Sequence, residues 1–262
     1  SHMVDDTFQS PYVPNTNVDR RRMLDAIGID SVEDLFTHIP ARHLNPVLDL
    51  PPAASELELM EYANQLASMN KIPGDYACFL GAGSYRHYIP AVVRQITGRS
   101  EYMTAYTPYQ PEVSQGTLQT AYEFQTLICQ LTGIEVANLG MYDGASSMAE
   151  AALMATRITK RDRIAVLDTV SPRYREVLDT YLQAPGLTVT TVSPNEVVLD
   201  EDTACLIVQQ PNFYGYFEEV DTLSKIAHDN DTLLVVSVDP ISLGMFKPPG
   251  EYGADIVVGE GQ

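Results

Sequence analysis

The chain has 262 residues, 45% of them hydrophobic, which is enough material for the core of one large or two modest domains. Its formal net charge of −19 argues against binding to nucleic acid or to anionic membranes, because phosphate groups are bound by clustered Lys and Arg side chains. No apolar run approaches the roughly 20 residues that a membrane-spanning helix needs.

The first seventy residues predict a helical arm. Residues 1–3 are typical of the remainder of a cleaved expression tag and are left out of the fold prediction. Thr16 and Ser31 are suited to cap two short helices, DRRRMLDAIG and VEDLFTHI, and Ser55 is suited to cap a third. Because these segments are too small to build a core alone, we expect residues 4–70 to pack on another element, ahead of a domain over 71–262.

From Tyr76 onward the pattern predicts alternating helices and strands. Helices are expected over 116–132, 147–159, 172–183 and 221–229, and strands over 135–140, 163–168, 187–192, 204–209, 232–239 and 255–259. Continuous apolar strands that alternate with helices indicate an α/β domain with a mostly parallel sheet covered on both faces. Ligands of such sheets bind at the carboxyl ends of the strands.

A stiff polar loop, YTPYQPE, precedes the first of these helices. Pro108 and Pro111 restrict the backbone, so residues 106–112 are expected to form an extended segment that presents side chains to a site. The candidates are Tyr106, Thr107, Tyr109, Gln110 and Glu112.

The stretch MYDGASSMAEAA predicts a strand-to-helix turn. It places Gly144, Ser146 and Ser147 at the start of a helix, where free N–H groups and the helix dipole can bind a phosphate. The alternative is an ordinary tight turn in which Ser147 and Glu150 form a capping box. Glu150 in the first turn would oppose a bound anion.

The stretch FLGAGSYRHYIP contains two glycines in a GAG sequence but fails as a dinucleotide-binding motif. Such a motif should open a helix and continue to a third glycine, whereas aromatic and basic residues and Pro90 follow here. A glycine turn that delivers His87 and Tyr88 to a site fits better. A structural role for His87 is an equal alternative.

Asp239 ends a buried strand at its carboxyl end. A lone carboxylate there would suit a pyridinium nitrogen or a metal, and capping of the following turn is an alternative of equal weight. No His/Asp/Glu cluster has the spacing of metal ligands, so we expect no metal.

Cys78, Cys129 and Cys205 form neither a CxxC pair nor a disulfide framework, which indicates a reducing, cytoplasmic compartment. We expect packing roles for Cys129 and Cys205, which lie within a predicted helix and a predicted strand.

Several long motifs follow one another along the chain. They read YVPNTNVDRRRMLDAIGIDSVEDLF, GAGSYRHYIP, YTPYQPEVSQGTLQTAYEFQTLICQLTG, MYDGASSMAEAALMA, IVQQPNFYGYFEE and VDPISLGMFKPPGEYGADIVVGEGQ. In these motifs, over nearly its whole length, the chain resembles glycine decarboxylase, the P-protein of the glycine cleavage system. It is more similar to subunit 1 of the two-subunit bacterial form than to the long fused form.

The resemblance implies the large domain of a fold type I pyridoxal 5′-phosphate (PLP) enzyme. Because chains of that fold are usually much longer, we expect this one to be an incomplete, N-terminal portion. The family's reaction is PLP-dependent glycine decarboxylation with aminomethyl transfer to the lipoyl group of the H-protein, in a cytoplasmic heterotetramer. Its partners would be subunit 2, the lipoyl-carrying H-protein and glycine.

The resemblance also implies a division of labour between the subunits. Counting from Asp239, Gln262 lies at or beside the position where the sister subunit carries the Schiff-base lysine, and a glutamine amide cannot form that bond. PLP would therefore be bound covalently by subunit 2. Asp239 and the turn with Gly144, Ser146 and Ser147 would be remnants of a cofactor site.

In the family the YTPYQPE loop lies towards the shared site, so its polar side chains, with those of His87 and Tyr88, would be offered across the subunit interface. Two other functions compete with this interpretation. One is a non-catalytic assembly or regulatory module that retains the fold. The other is a stand-alone PLP enzyme that uses Lys247.

Overall fold

The computed structural model describes residues 12, 15–44, 46–103 and 111–261. Residue contacts divide the chain into two units, with the boundary between Asp75 and Tyr76. Among the described residues, no helix is long and apolar enough to cross a membrane.

The N-terminal unit contains two α-helices, α1 (Asn17–Ile27) and α2 (Glu56–Ser68). Thr16 and Ser55 cap them through capping boxes with Asp19 and Glu58, as predicted, and α1 ends at Gly28 in the left-handed conformation.

The predicted helix VEDLFTHI is shorter than expected, because only Val32–Phe36 forms a 3₁₀ turn, followed by a second at Ala41–His43. Ser31 donates its N–H to Asp34 at the start of the first turn. Only Leu24 is buried in α1, and α2 buries none of its residues. The unit thus forms helices without forming much core.

The second unit contains the remaining helices and all the strands among the described residues. The helices are α3 (Ala91–Thr97), α4 (Ser100–Met103), α5 (Pro111–Thr132), α6 (Gly144–Thr159), α7 (Pro172–Gln183) and α8 (Val220–Asp229). The strands are β1 (Arg163–Leu167), β2 (Thr188–Val192), β3 (Thr203–Gln210), β4 (Leu233–Val238) and β5 (Ile256–Gly259). Two 3₁₀ turns, Pro240–Gly244 and Pro249–Tyr252, lie between β4 and β5.

The five strands form one parallel sheet in the order β2-β1-β3-β4-β5. Successive side chains of a strand point to opposite faces, and nearly every residue of β3 and β4 is buried, so both faces of the sheet centre are covered. β2, at one edge, is mostly exposed. The α/β class and the covered parallel sheet are confirmed.

The predicted strand at 135–140 is wrong. Residues 135–140 form no strand and are not part of the five-stranded sheet. The helix expected over 116–132 begins at Pro111, with a non-helical backbone at Ser114, so Pro111 and Glu112 belong to helix rather than to an extended loop. Gly133 ends α5 with φ of 73°, as expected.

The amino ends of β1 and β3 are joined to the turn before β4 by one side chain. The guanidinium of Arg161 donates to the carbonyl oxygens of Thr203 (3.1 Å), Asn230 (3.0 Å) and Asp231 (2.8 Å). A charged donor shared by three carbonyl groups satisfies several loop acceptors at once. Arg161 therefore ties together the amino ends of the strands, at the end of the sheet opposite the strands' carboxyl ends.

Replacing this guanidinium should loosen that edge. We expect Arg161→Ala to lower the free energy of unfolding by roughly 1–2 kcal/mol, because hydrogen bonds from a charged group are lost. Arg157→Ala, which removes an exposed arginine of α6, is the matched control and should change stability by less than about 0.5 kcal/mol. Equal effects of the two variants in denaturant unfolding would show that Arg161 has no special role.

Candidate functional site

The carboxyl end of β5 meets the start of α6, where the sequence predicts either a phosphate-binding turn or an ordinary tight turn. Helix α6 begins at Gly144, three residues earlier than expected, and Asp143 is its N-cap. The carboxylate of Asp143 accepts from the Ser146 N–H at 2.7 Å and from the Ser146 hydroxyl at 2.8 Å. These bonds hold the pKa of Asp143 below its usual value.

The capping box predicted from Ser147 and Glu150 is therefore wrong. Asp143 and Ser146 form the box one turn earlier, and the Ser147 hydroxyl donates to the carbonyl oxygen of Asp143 at 2.6 Å. Glu150 lies beyond the first turn, so it is not the residue that balances the helix dipole.

A carboxylate from the far end of the chain lies at the start of α6. Glu260 follows β5, and its Oε1 accepts from the Gly144 N–H at 2.9 Å and from the Tyr174 hydroxyl at 2.8 Å. Burial and the adjacent Glu260 carboxylate raise the pKa of Tyr174 well above its usual value. The hydroxyl therefore stays protonated and donates.

Asp239 lies at the carboxyl end of β4, as predicted. It is the N-cap of the 3₁₀ turn Pro240–Gly244, and its Oδ1 accepts from the Ile241 N–H at 3.1 Å. Its carbonyl oxygen accepts from the Ser242 hydroxyl at 2.6 Å. These contacts are those of the capping alternative.

The loop after β3, for which no role was predicted, contains a hydrogen-bonded network of polar side chains. The carboxylate of Glu218 accepts from the Thr169 hydroxyl at 2.6 Å and from the Asn212 amide at 2.7 Å. The Gln210 side chain accepts from the Glu218 N–H at 2.9 Å, and Asn212 Oδ1 accepts from the Tyr216 N–H at 3.0 Å. The amides and acid in QPNFYGYFEE were the available signal.

The GAG segment is a turn, as predicted, and it does not open a helix. Gly81, Ala82 and Gly83 all have positive φ, and the chain then runs without regular structure to α3. His87 is partly buried, whereas the Tyr88 side chain is 89% exposed. Tyr106, Thr107, Tyr109 and Gln110 lie outside the described residues, as does Gln262, and of Glu112 only the helical backbone is described.

The lysine and cysteine side chains were the remaining candidates for covalent chemistry. Lys247 Nζ donates to the Asp221 carboxylate at 2.9 Å and lies 6.0 Å from the centroid of the Tyr252 ring. Cys205 is fully buried, as predicted, and burial raises its pKa to about 12. Among the described residues there is no group of three or more potential metal ligands.

Comparison with known proteins decides the family. The sequence matches the family described as "Glycine cleavage system P-protein" over residues 10–262. The chain belongs to the P-protein family. The Thermomicrobium roseum protein named "Probable glycine dehydrogenase (decarboxylating) subunit 1" is 52% identical over 262 residues, with 96% of this chain and 58% of the relative covered. The protein of the same name from Thermotoga maritima is 47% identical, with the same coverage.

A crystal structure of a P-protein has the same fold. It is titled as glycine decarboxylase of the glycine cleavage system in inhibitor-bound form, and it is 43% identical to this chain, with a TM-score of 0.84. The alignment covers 97% of this chain and 59% of that one. The chain thus spans somewhat more than half the length of the relatives it matches.

PLP is the cofactor that the family implies, and the start of α6 does not fit its phosphate group. The N–H groups of Gly144 and Ser146 already donate to Glu260 and Asp143, and two carboxylates would repel an added anion. Asp239 likewise serves its own turn. Of the site residues predicted from the sequence, Gly144, Ser146 and Asp239 lie at the strands' carboxyl ends, and their donors and acceptors serve the chain itself.

Gly144 is required by this arrangement. A Cβ atom there would lie 2.6 Å from the Tyr174 hydroxyl and 2.8 Å from Glu260 Oε1. We expect Gly144→Ala to destabilise the protein by about 1–3 kcal/mol in thermal unfolding, because both side chains must move.

Gly116→Ala is the matched control, since Gly116 also lies in a helix and a Cβ there meets nothing within 4 Å. It should be neutral or stabilising by up to about 1 kcal/mol, because alanine favours helix over glycine. A stabilising Gly144→Ala would contradict the contacts described for Glu260.

Proposed function

We propose that this chain is part of the non-lysine subunit of a two-subunit glycine dehydrogenase (aminomethyl-transferring). In this function it supports glycine decarboxylation and aminomethyl transfer to the lipoyl group of the H-protein, while subunit 2 binds PLP. The observation that carries the proposal is the start of α6, where Glu260 and Asp143 use the donors that a phosphate would need. The names of the relatives support the reaction and the existence of a second subunit.

Exposed aromatic residues support the existence of a surface that binds a partner subunit. Tyr88 exposes 89% of its side chain, and Phe79 in the same segment exposes 94%, which is unfavourable for large aromatic rings in water. We propose that this segment, with His87, is offered to the site of subunit 2 together with Tyr106, Thr107, Tyr109, Gln110 and Glu112. Free cysteines support a cytoplasmic location.

PLP held by subunit 2 would supply the electron sink for decarboxylation. In this chain, the network of Glu218, Asn212, Gln210 and Thr169 gives the carboxyl edge of the sheet a fixed shape. Such an edge can position residues for a neighbouring site without an ordering cost at each turnover. The role proposed for this subunit is to complete and orient the site.

Mixing the full-length chain with subunit 2 tests the proposal. Glycine–bicarbonate exchange should appear only in the mixture and should be absent from either protein alone. Full exchange by subunit 2 alone would favour the assembly-module alternative. Exchange by this chain alone would favour the stand-alone enzyme that uses Lys247.

Variants of Asp239 distinguish a residue that only caps a turn from one that pairs with a cofactor. Asparagine caps helices about as well as aspartate but cannot carry the charge that a pyridinium nitrogen needs. We therefore expect Asp239→Asn to leave both stability and exchange by the reconstituted pair nearly unchanged, and Asp239→Ala to cost about 1 kcal/mol of stability. If Asp239→Asn lowered exchange about 100-fold at unchanged stability, this subunit would have a cofactor site of its own.

A further inference from the structure

Glu260 is held in a close-fitting site built from three segments of the second unit. Gly259 brings β5 so close to β4 that a Cβ there would lie 2.5 Å from the carbonyl oxygen of Val238. On the other side, Gly144 leaves room for Glu260 Oε1 only because it lacks a Cβ. Tyr174 of α7 completes the site by donating its hydroxyl to the same oxygen.

The site has the chemistry of an anion-binding position. A backbone N–H at the start of a 16-residue helix and a neutral hydroxyl both point at one oxygen, and the helix dipole favours negative charge there. The remaining first-turn donors are directed at Asp143, which accepts from Ser146 and is also stabilised by the Ala145 N–H. The donors that an anion from solution would need are therefore already hydrogen-bonded to carboxylates of the chain.

We propose that Glu260 is a built-in anion that closes the start of α6 against phosphate groups. The carboxylate is attached directly after β5, so its effective concentration at Gly144 far exceeds that of any phosphate compound in solution. A phosphate would also have to displace a negative charge rather than water. Ligands that carry a phosphate group are thereby excluded from the start of α6.

Exclusion of phosphate at this helix start is a different property from the choice of partner subunit, although both are argued from the contacts of Glu260. It predicts a gain of binding when one side chain is removed. The wild-type full-length chain, Glu260→Ala and Glu260→Gln are titrated with inorganic phosphate by calorimetry at constant ionic strength, without subunit 2. Thermal unfolding in phosphate and in chloride provides a second readout.

We expect Glu260→Ala to bind inorganic phosphate with a dissociation constant at least about tenfold lower than that of the wild type, because Gly144 and Tyr174 regain free donors. Glu150→Ala is the matched control: it removes a carboxylate from the same helix, beyond its first turn, and should bind phosphate no better than the wild type.

A folded Glu260→Ala variant that binds phosphate no more tightly than the wild type would overturn the proposal. If Glu260→Ala does not fold, Glu260→Gln decides, since it keeps the acceptor oxygen and loses only the charge. That variant should bind phosphate about threefold or more tightly than the wild type, and unchanged affinity would refute the proposal. Because subunit 2 is absent, failure here leaves the reconstitution test of the proposed function intact.

Discussion

The first turn of α6 is buried, and its N–H groups must find partners inside the protein. A helix start has donors without intrahelical acceptors, and leaving them unpaired in a buried position costs free energy. The chain satisfies them with two of its own carboxylates, Asp143 next to the turn and Glu260, which is 116 residues away. The carboxyl edge of the sheet is organised around this requirement, because it ties the end of β5 to the start of α6.

The same arrangement occupies the strand ends with acids of the chain itself. In a parallel sheet the strand ends form the natural ligand site, and here that edge carries Asp239, Glu218 and Glu260. Each of these acids is engaged by a donor of the chain itself. These carboxylates are therefore hydrogen-bonded within the chain.

Sequence reasoning predicted the sheet well because its signal is local. The apolar runs of β3 and β4 are long and continuous, so their limits were predicted to within one residue at each end. The segment 135–140 has only three apolar residues, interrupted by Asn138, and it forms no strand. The caps at Thr16 and Ser55 were also predictable, since a capping box is a four-residue motif.

At the start of α6 the sequence predicts a helix start but not the contacts made there. Ser147 and Glu150 satisfy the capping-box pattern, but Asp143 and Ser146 satisfy an equivalent one a turn earlier, and a sequence alone does not rank them. Glu260 was missed because its contact with Gly144 spans most of the domain. An acid directly after a partly buried strand, in the sequence GEG, was the available hint.

We propose that this chain carries no covalently bound cofactor and completes a site on subunit 2. Borohydride reduction of the reconstituted pair in the presence of PLP, followed by peptide mapping of both subunits by mass spectrometry, tests it most directly. The account predicts one stoichiometric pyridoxyl label, on a lysine of subunit 2, and none on this chain. A stoichiometric label on Lys247 or on another lysine of this chain would contradict it.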